Sequence, residues 1–320
     1  VWALYRVGVD ALIVQDMALL ELDLPPIPLH ASTQMDNRTP EKVKFLHGLG
    51  FSQVVLAREL SLAEIQAVHE ACDVPLEVFV HGALCVSYSG QCYVSQHCFG
   101  RSANRGECAQ FCRLKFDMID SDGRMIEQGR HLLSLKDMNR GADLERLLDA
   151  GVTSLKIEGR LKDVAYVKNV TAWYRSRLDE IFKRRPEYRR ASSGQVSLAF
   201  TPCLEKSFNR GFTRYFLDGR TPDIFSFHTP KSLGEEVGTV KEVRGKCIVV
   251  SGVKPFANGD GLCFLDEQGN LQGFRVNRVE ANKIYPAEMP RVRPHTRLYR
   301  NFDKAFEDVL SRPSAVRKIR

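Results

Sequence analysis

The feature that most constrains the fold is a local pattern that occurs three times. A helix-like stretch ends in glycine, and a short apolar run follows at once. It is found at Gly8-Val9-Asp10-Ala11-Leu12-Ile13-Val14, at Gly50-Phe51-Ser52-Gln53-Val54-Val55-Leu56 and at Gly151-Val152-Thr153-Ser154-Leu155-Lys156-Ile157. Glycine accepts the left-handed conformation that ends a helix. The runs are apolar on both faces, as in a parallel sheet covered by helices. Helices are expected at residues 40–49, with Val43, Leu46 and Leu49 on one face, at 61–72, with a Ser61/Glu64 capping box, and at 143–150, with paired leucines. Strands are expected at residues 11–14, 28–31, 54–57, 76–80, 132–135 and 154–157. Strand, helix, strand in succession predicts a parallel α/β fold.

Polar residues gather where these strands end: Gln15-Asp16, the segment from His30 to Gln34, Arg58-Glu59, His81-Gly82, Lys136-Asp137 and Glu158-Gly159-Arg160. In a (β/α) barrel the C-terminal strand ends form the mouth of the active site. The strands fall short of eight, so residues 1–190 are expected to form a partial TIM-like barrel that lacks its first strands. The chain opens at Val1-Trp2, with no Met and no basic or apolar leader, and reads as a fragment.

Residues 82–130 form an insertion far longer than an ordinary loop of about 2–6 residues. It carries a cysteine cluster and then a predicted hairpin, residues 115–119 and 124–127 around Asp122-Gly123. An amphipathic helix is expected at residues 165–182, ending in Lys183-Arg184-Arg185-Pro186. Tyr188-Arg189-Arg190 and Ser192-Ser193-Gly194 then mark a basic linker. Arg184, Arg185, Arg189 and Arg190 are candidate contacts to RNA phosphates. Residues 195–300 change to short alternating strands, at 195–200, 236–243, 246–251, 261–265, 273–279 and 283–286, with a hairpin turn at 266–270. This predicts a small all-β barrel. Residues 301–320 read as a short helix and a basic tail.

Composition limits the function classes. Of 320 residues 43% are hydrophobic and 27% charged, which excludes a disordered or collagen-like chain. No apolar run is long enough to span a bilayer. The net charge of +7 suits RNA or another polyanion. Of the nine cysteines, Cys85, Cys92, Cys98, Cys108 and Cys112 crowd one stretch, which argues for a reducing, cytoplasmic setting and a metal or cluster site. The spacing is Cys85-x6-Cys92-x15-Cys108-x3-Cys112, with Cys98 as a spare ligand. Thiolates suit zinc or iron–sulfur clusters. Structural zinc favours two close Cys pairs, and only Cys108 and Cys112 form one. The uneven spread favours a [4Fe–4S] cluster, with zinc the alternative.

The run Glu77-Val78-Phe79-Val80-His81-Gly82-Ala83-Leu84-Cys85-Val86-Ser87-Tyr88-Ser89-Gly90-Gln91-Cys92 strongly resembles the signature of the peptidase U32 family, the collagenase-like proteins. Leu29-His30-Ala31-Ser32-Thr33-Gln34-Met35, Leu135-Lys136-Asp137 and Ser154-Leu155-Lys156-Ile157-Glu158-Gly159-Arg160 are similar to family segments as well. The likeness is close over about residues 5–190. Phe208-Asn209-Arg210-Gly211-Phe212-Thr213 and Thr229-Pro230-Lys231-Ser232 resemble the longer-form members. The resemblance implies a TIM-like barrel followed by a β domain. Some members carry a protease label. Others act in RNA base hydroxylation, giving 5-hydroxyuridine in tRNA or 5-hydroxycytidine in 23S ribosomal RNA, or in ubiquinone hydroxylation with a [4Fe–4S] cluster. The long form resembles the ribosomal RNA branch. Cluster ligation by Cys85, Cys92, Cys108 and Cys112 is an inference from this likeness.

Three readings follow. A peptidase needs an activated nucleophile or a metal-bound water. Neither His-Glu-x-x-His nor Gly-x-Ser-x-Gly is present, and only a Cys85–His81 dyad can be drawn. Hydroxylation at pyrimidine C5 is redox chemistry and requires a cofactor. In that reading Arg58, Lys156 and Arg160 hold a small anionic cosubstrate or phosphate, while His30, His81, Glu59 and Glu158 move protons. A non-enzymatic RNA-binding module would use the β domain and basic tail, leaving the strand-end set and the cysteines unexplained.

Overall fold

The structure, a computed structural model, describes residues 1–252 and 254–319. A short helix α1 (Trp2–Arg6) precedes the parallel strands β1 (Leu12–Val14), β2 (Leu29–Ala31), β3 (Gln53–Val55) and β4 (Leu76–Ala83). Helix α2 (Pro40–Gly48) links β2 to β3, and α3 (Leu62–Ala71) links β3 to β4. Both helices start as expected. Thr39 Oγ1 accepts from Lys42 N at 3.2 Å ahead of Pro40, and Ser61 and Glu64 form a reciprocal capping box. After a cysteine-bearing segment with helix α4 (Val94–Phe99) come the hairpin β5 (Phe116–Ile119) and β6 (Met125–Arg130), strand β7 (Asp137–Asn139), helix α5 (Leu144–Asp149) and strand β8 (Val152–Glu158).

The parallel sheet has the order β1-β2-β3-β4-β7, extended by the short β10 (Phe212–Thr213), and β8 pairs with β4. It is open. Because β8 returns to β4, the strands do not follow one another around a ring. Helix α2 packs on β3 and α5 on β8. Val43, Leu46, Ile65, Val68, Leu144 and Leu147 on the helices are buried, as are Val54, Leu76, Val78 and Val152 on the strands. Each such side chain contributes about 1.5–3 kcal/mol.

The chain forms two compact units that interleave in sequence, whereas the change in composition near residue 190 suggested one linker. The first unit comprises Val1–Leu114, Met138–Glu158 and Thr213–Phe225. The second comprises Lys115–Asp137, Gly159–Phe212 and Ser226–Arg320.

In the second unit the long helix α6 (Val164–Arg184) is capped by Asp163, whose carboxylate accepts from Tyr166 N at 2.8 Å. Strand β9 (Gln195–Leu198) follows. A closed antiparallel barrel is built from β11 (Glu235–Arg244), β12 (Cys247–Ser251), β13 (Gly261–Leu265), β14 (Leu271–Glu280), β15 (Lys283–Pro286) and β16 (Arg297–Phe302). Its order is β11-β12-β15-β14-β13-β16, and its interior holds Val240, Ile248, Leu262, Phe264, Val276, Ile284 and Leu298. Helix α7 (Lys304–Leu310) and strand β17 (Ala315–Lys318) complete the chain. Among the described residues no helix is long and apolar enough to cross a membrane.

Three expectations need correction. Residues 132–135 are not a strand; β7 lies just beyond, where the chain pairs between β4 and β10 and Asp137 buries its carboxylate against Arg210 at 3.0 Å. The strand expected at 195–200 is present as β9, but it pairs with β17 outside the barrel. The helix expected after residue 301 is α7, and the basic tail beyond it forms the strand β17. Strand β16, which closes the barrel, was not foreseen.

Arg300 on β16 is buried with three carboxylates: Glu235 at 2.6 Å, Asp260 at 3.3 Å and Asp303 at 3.4 Å. Lys254 and Lys206 supply further charge to Glu235 and Asp303, each at 2.7 Å. Removing Arg300 strands buried negative charge, so Arg300→Met is expected to cost about 3–5 kcal/mol in a denaturant titration. A loss under 1 kcal/mol would show that the network is dispensable.

His81 on β4 is 1% exposed, and burial pushes its imidazole down to about 4. The unfolded chain binds a proton near pH 6.5 that the folded chain refuses until about pH 4. Stability is therefore expected to fall with decreasing pH across that window, by up to about 1.4 kcal/mol per pH unit. In His81→Gln this part of the slope should vanish in melts taken between pH 4 and 7.

Candidate active site

Strand alternation brings polar side chains to one face of the parallel sheet. In the β4–β8 register Glu77 lies opposite Ser154, Phe79 opposite Lys156 and Gly82 opposite Glu158. The Glu77 carboxylate accepts from Lys156 Nζ at 2.9 Å, Ser154 Oγ at 2.7 Å and Gln53 Nε2 at 2.9 Å. His30 on β2 is in register with Gln53 and feels both Glu77 and Lys156. Burial lowers its pKa, with Glu77 opposing, so its imidazole is neutral at neutral pH.

Arg58, just past β3, stacks its guanidinium over the Phe79 ring at 3.8 Å and reaches Glu158 Oε2 through Nη2 at 3.3 Å. Its Nε is buried and has no hydrogen-bond partner among the described residues. Burial lowers its pKa, and Glu158, Cys85, Glu59 and Tyr215 oppose that shift, which places those groups around it. Glu59 is buried and does not pair with Arg58. Its carboxylate accepts from Ser89 N at 3.0 Å and Ser89 Oγ at 2.9 Å, fastening the loop after Cys85. Gly82 and Gly90 bring that loop close. A Cβ on Gly82 would lie 2.3 Å from Glu158 O, and one on Gly90 2.1 Å from Gln34 O.

The cysteine segment closes on itself. Arg113 Nη2 donates to Leu84 O at 3.0 Å, which returns Cys112 toward Cys85. The buried Ser95 Oγ accepts from Ala109 N at 3.0 Å, and Asn104 Nδ2 donates to Gly90 O at 3.1 Å. Cys85 and Cys112 each interact electrostatically with Cys92 and Cys108, and Cys112 also with Cys85. Burial raises both the Cys85 and the Cys112 thiol, while Arg58 works the other way on Cys85. Cys98 is exposed on α4. Among the described residues no group of three or more His, Cys, Asp or Glu is arranged to hold a single metal ion.

Two residues of the site carried no sequence signal. Arg140 is 1% exposed and donates to the carbonyls of Arg58 at 3.1 Å, Phe79 at 3.5 Å and Arg214 at 3.4 Å. Tyr215 has a left-handed backbone, with φ of 57°, and stacks on Phe216 with centroids 3.9 Å apart. Burial pushes its phenol up to about 12, with Glu59 and Cys85 adding, so it remains a hydrogen-bond donor near the cysteines. A non-glycine residue at positive φ is uncommon, and φ is invisible in a sequence.

The remaining candidates are dispersed. Lys156 is committed to Glu77, and Arg160 is exposed and belongs to the second unit. His81 is buried and neutral. In the basic run, Arg185 pairs with Glu187 at 2.5 Å and Arg190 approaches Asp179 at 3.8 Å, while Arg184 and Arg189 are exposed.

Comparison with known proteins adds a family. The model of Peptidase family U32 matches residues 1–225. The chain is 51% identical over 325 residues to the 23S rRNA 5-hydroxycytidine C2501 synthase of Escherichia coli K12, covering 99% of this chain and 50% of that protein. It is 34% identical to the tRNA hydroxylation protein P1 of Bacillus subtilis, over 74% of this chain and 58% of that protein. It is 29% identical to a collagenase of Porphyromonas gingivalis, over 95% of this chain and 79% of that protein. The chain thus spans about half the length of the first two relatives. No solved structure matches it. With the signature run on β4 and in the loop after it, and with the family match covering residues 1–225, the chain belongs to peptidase family U32.

Proposed function

We propose that this chain takes part in hydroxylating an RNA pyrimidine at C5, with a cytidine of 23S ribosomal RNA as first substrate and a tRNA uridine as second. The observation that carries the reading is the 51% identity to the E. coli synthase across 99% of the chain. We read the open parallel sheet as a sector of a TIM-like barrel with the cysteine segment at its mouth, and the setting as the cytoplasm.

The cofactor in this reading is a [4Fe–4S] cluster on Cys85, Cys92, Cys108 and Cys112. The donor set fits it. The four thiols come from one segment and influence one another, and thiolates are the ligands such a cluster takes. When bound, the cluster supplies electron-transfer chemistry that side chains lack. The protein's own residues bind and orient. Replacing C5–H by C5–OH is a two-electron oxidation that needs an oxygen donor besides the RNA. Arg58, with its spare Nε, is the group to hold such a donor as a small anion. Glu158 and the neutral His30 imidazole accept protons. Phe79 keeps water from one face of the guanidinium.

The peptidase reading has the P. gingivalis relative in its favour. A nucleophilic cysteine needs a depressed pKa and a base that can take its proton. Cys85 is raised instead, and His81 is buried with a pKa near 4. The pair lacks the electrostatics of a thiolate–imidazolium dyad.

In a deletion strain complemented with variants of the full-length protein, Cys92→Ser or Cys108→Ser should abolish both bound iron and the hydroxylated nucleoside in digested RNA. Arg58→Lys keeps the charge and loses the fork. It should retain iron and lower the nucleoside at least about tenfold, the loss of one charge-assisted hydrogen bond. Unchanged nucleoside in the deletion strain, with cysteine-dependent gelatin cleavage by pure protein, would reverse the assignment.

A further inference from the structure

We infer that the closed β barrel of the second unit carries a binding groove for single-stranded RNA, separate from the basic run at 184–190. This inference rests on the RNA reading above and names the surface that grips the polymer. A cavity of about 1170 Å³ lies across β14, β13 and β16 and the segment that leads into β16. Its rim presents Arg275, Arg291, Arg293, Arg297 and His295, all exposed, beside the half-buried Tyr299.

Few of these charges are neutralised by the carboxylates of the groove itself. Arg293 is paired with Glu267. Asp266 spends its carboxylate on its own turn, accepting from Gln268 N at 3.0 Å, Asn270 N at 2.8 Å and Gln272 Nε2 at 2.8 Å. Glu288 is the remaining carboxylate of the lining. Among the described residues no carboxylate pairs with Arg275, Arg291 or Arg297. Arg275 lies over the Phe302 ring at 5.5 Å, a contact that leaves its N–H groups available, so three guanidinium forks line one cavity with donors of the kind that phosphate oxygens match.

The aromatic member fits the same ligand. Tyr299 lies next to Leu298, which points into the barrel core, so alternation turns the phenol ring to the outer side. Basic groups beside an outward ring on a β surface are what single-stranded nucleic acid needs, with phosphates on the cations and a base on the ring. Duplex is a poorer match, because its bases are already stacked.

The test is fluorescence anisotropy of the purified chain with a fluorescein-labelled single-stranded RNA 12-mer, titrated at several salt concentrations. Arg275→Ala/Arg291→Ala/Arg297→Ala should weaken binding at least tenfold near 0.1 M salt. It should also flatten the slope of log K against log salt by about 2, since each phosphate contact on a single strand contributes about 0.7. Tyr299→Ala should weaken binding about 5- to 150-fold with an unchanged slope. The three arginines are exposed and Tyr299 is half-buried, and an unshifted melting temperature checks the fold of each variant. As a second readout, RNA carrying 4-thiouridine should crosslink to residues 287–299. Wild-type affinity and slope in the triple variant, or crosslinks confined to residues outside the barrel, would overturn the groove while leaving RNA hydroxylation standing. A wild-type chain that fails to bind the RNA would overturn the groove as well. The RNA reading itself falls only if the hydroxylated nucleoside also persists in the deletion strain.

Discussion

One buried guanidinium holds the candidate site together. Arg140 leaves the end of β7, sends its side chain under the sheet ends, and ties three carbonyls that belong to different parts of the chain. Its own backbone N donates to Val80 O at 2.9 Å, so the residue is fixed at both ends. The Arg58 and Arg214 carbonyls lie just beyond β3 and β10, and a buried carbonyl without a partner is costly. Arg140 supplies those donors, and its rigid fork sets the spacing between Arg58 and Phe79. Arg58 stacks on Phe79 and reaches Glu158 from the backbone that Arg140 holds.

Around this anchor, burial does most of the electrostatic work. The same desolvation that keeps His30 and His81 neutral raises the thiols of Cys85 and Cys112 and the phenol of Tyr215. A region that discourages charge on isolated groups favours occupants that bring their own compensation. Thiols of this kind become good ligands once a cation displaces their protons, because the positive charge then stays in place. Arg58 adds fixed positive potential beside Cys85, which also favours the sulfur anion. Glu59, by contrast, turned out to be a fastener for Ser89, a role that its strand-end position did not distinguish from proton transfer.

The elements that were legible in sequence were those whose cause is local. The glycine-then-strand pattern located β1, β3 and β8 within a residue or two, and Ser61 with Glu64 marked the start of α3. The parts that were missed depend on distant partners. Strand β7 buries Asp137, which looks like a solvated residue until Arg210 arrives from 73 positions later. Strand β16 buries Arg300, whose three carboxylates are scattered from Glu235 to Asp303. Strand β9 was placed correctly and paired wrongly, since its partner β17 lies at the other end of the unit. The same holds for the site. Arg58, Glu158, His30 and the cysteines stand in recognisable positions, but Arg140 and Tyr215 are defined only by what surrounds them.

The interleaving of the two units sets an order of events during synthesis. Domains made on the ribosome tend to fold from the N-terminus as each is completed. The first unit cannot follow that course, because its last segment, Thr213–Phe225, emerges after two stretches that belong to the second unit. Until then Arg140 lacks the Arg214 carbonyl, and Asp143, 3% exposed in the finished fold, lacks the Arg214 guanidinium that donates from Nε at 2.7 Å. Tyr215 arrives in the same segment. The family match ends at residue 225, the residue at which this segment ends. Residues 1–225 are therefore the shortest length of nascent chain that contains every segment of the first unit, and residues 115–137 and 159–212 leave the ribosome before the barrel strands of their own unit.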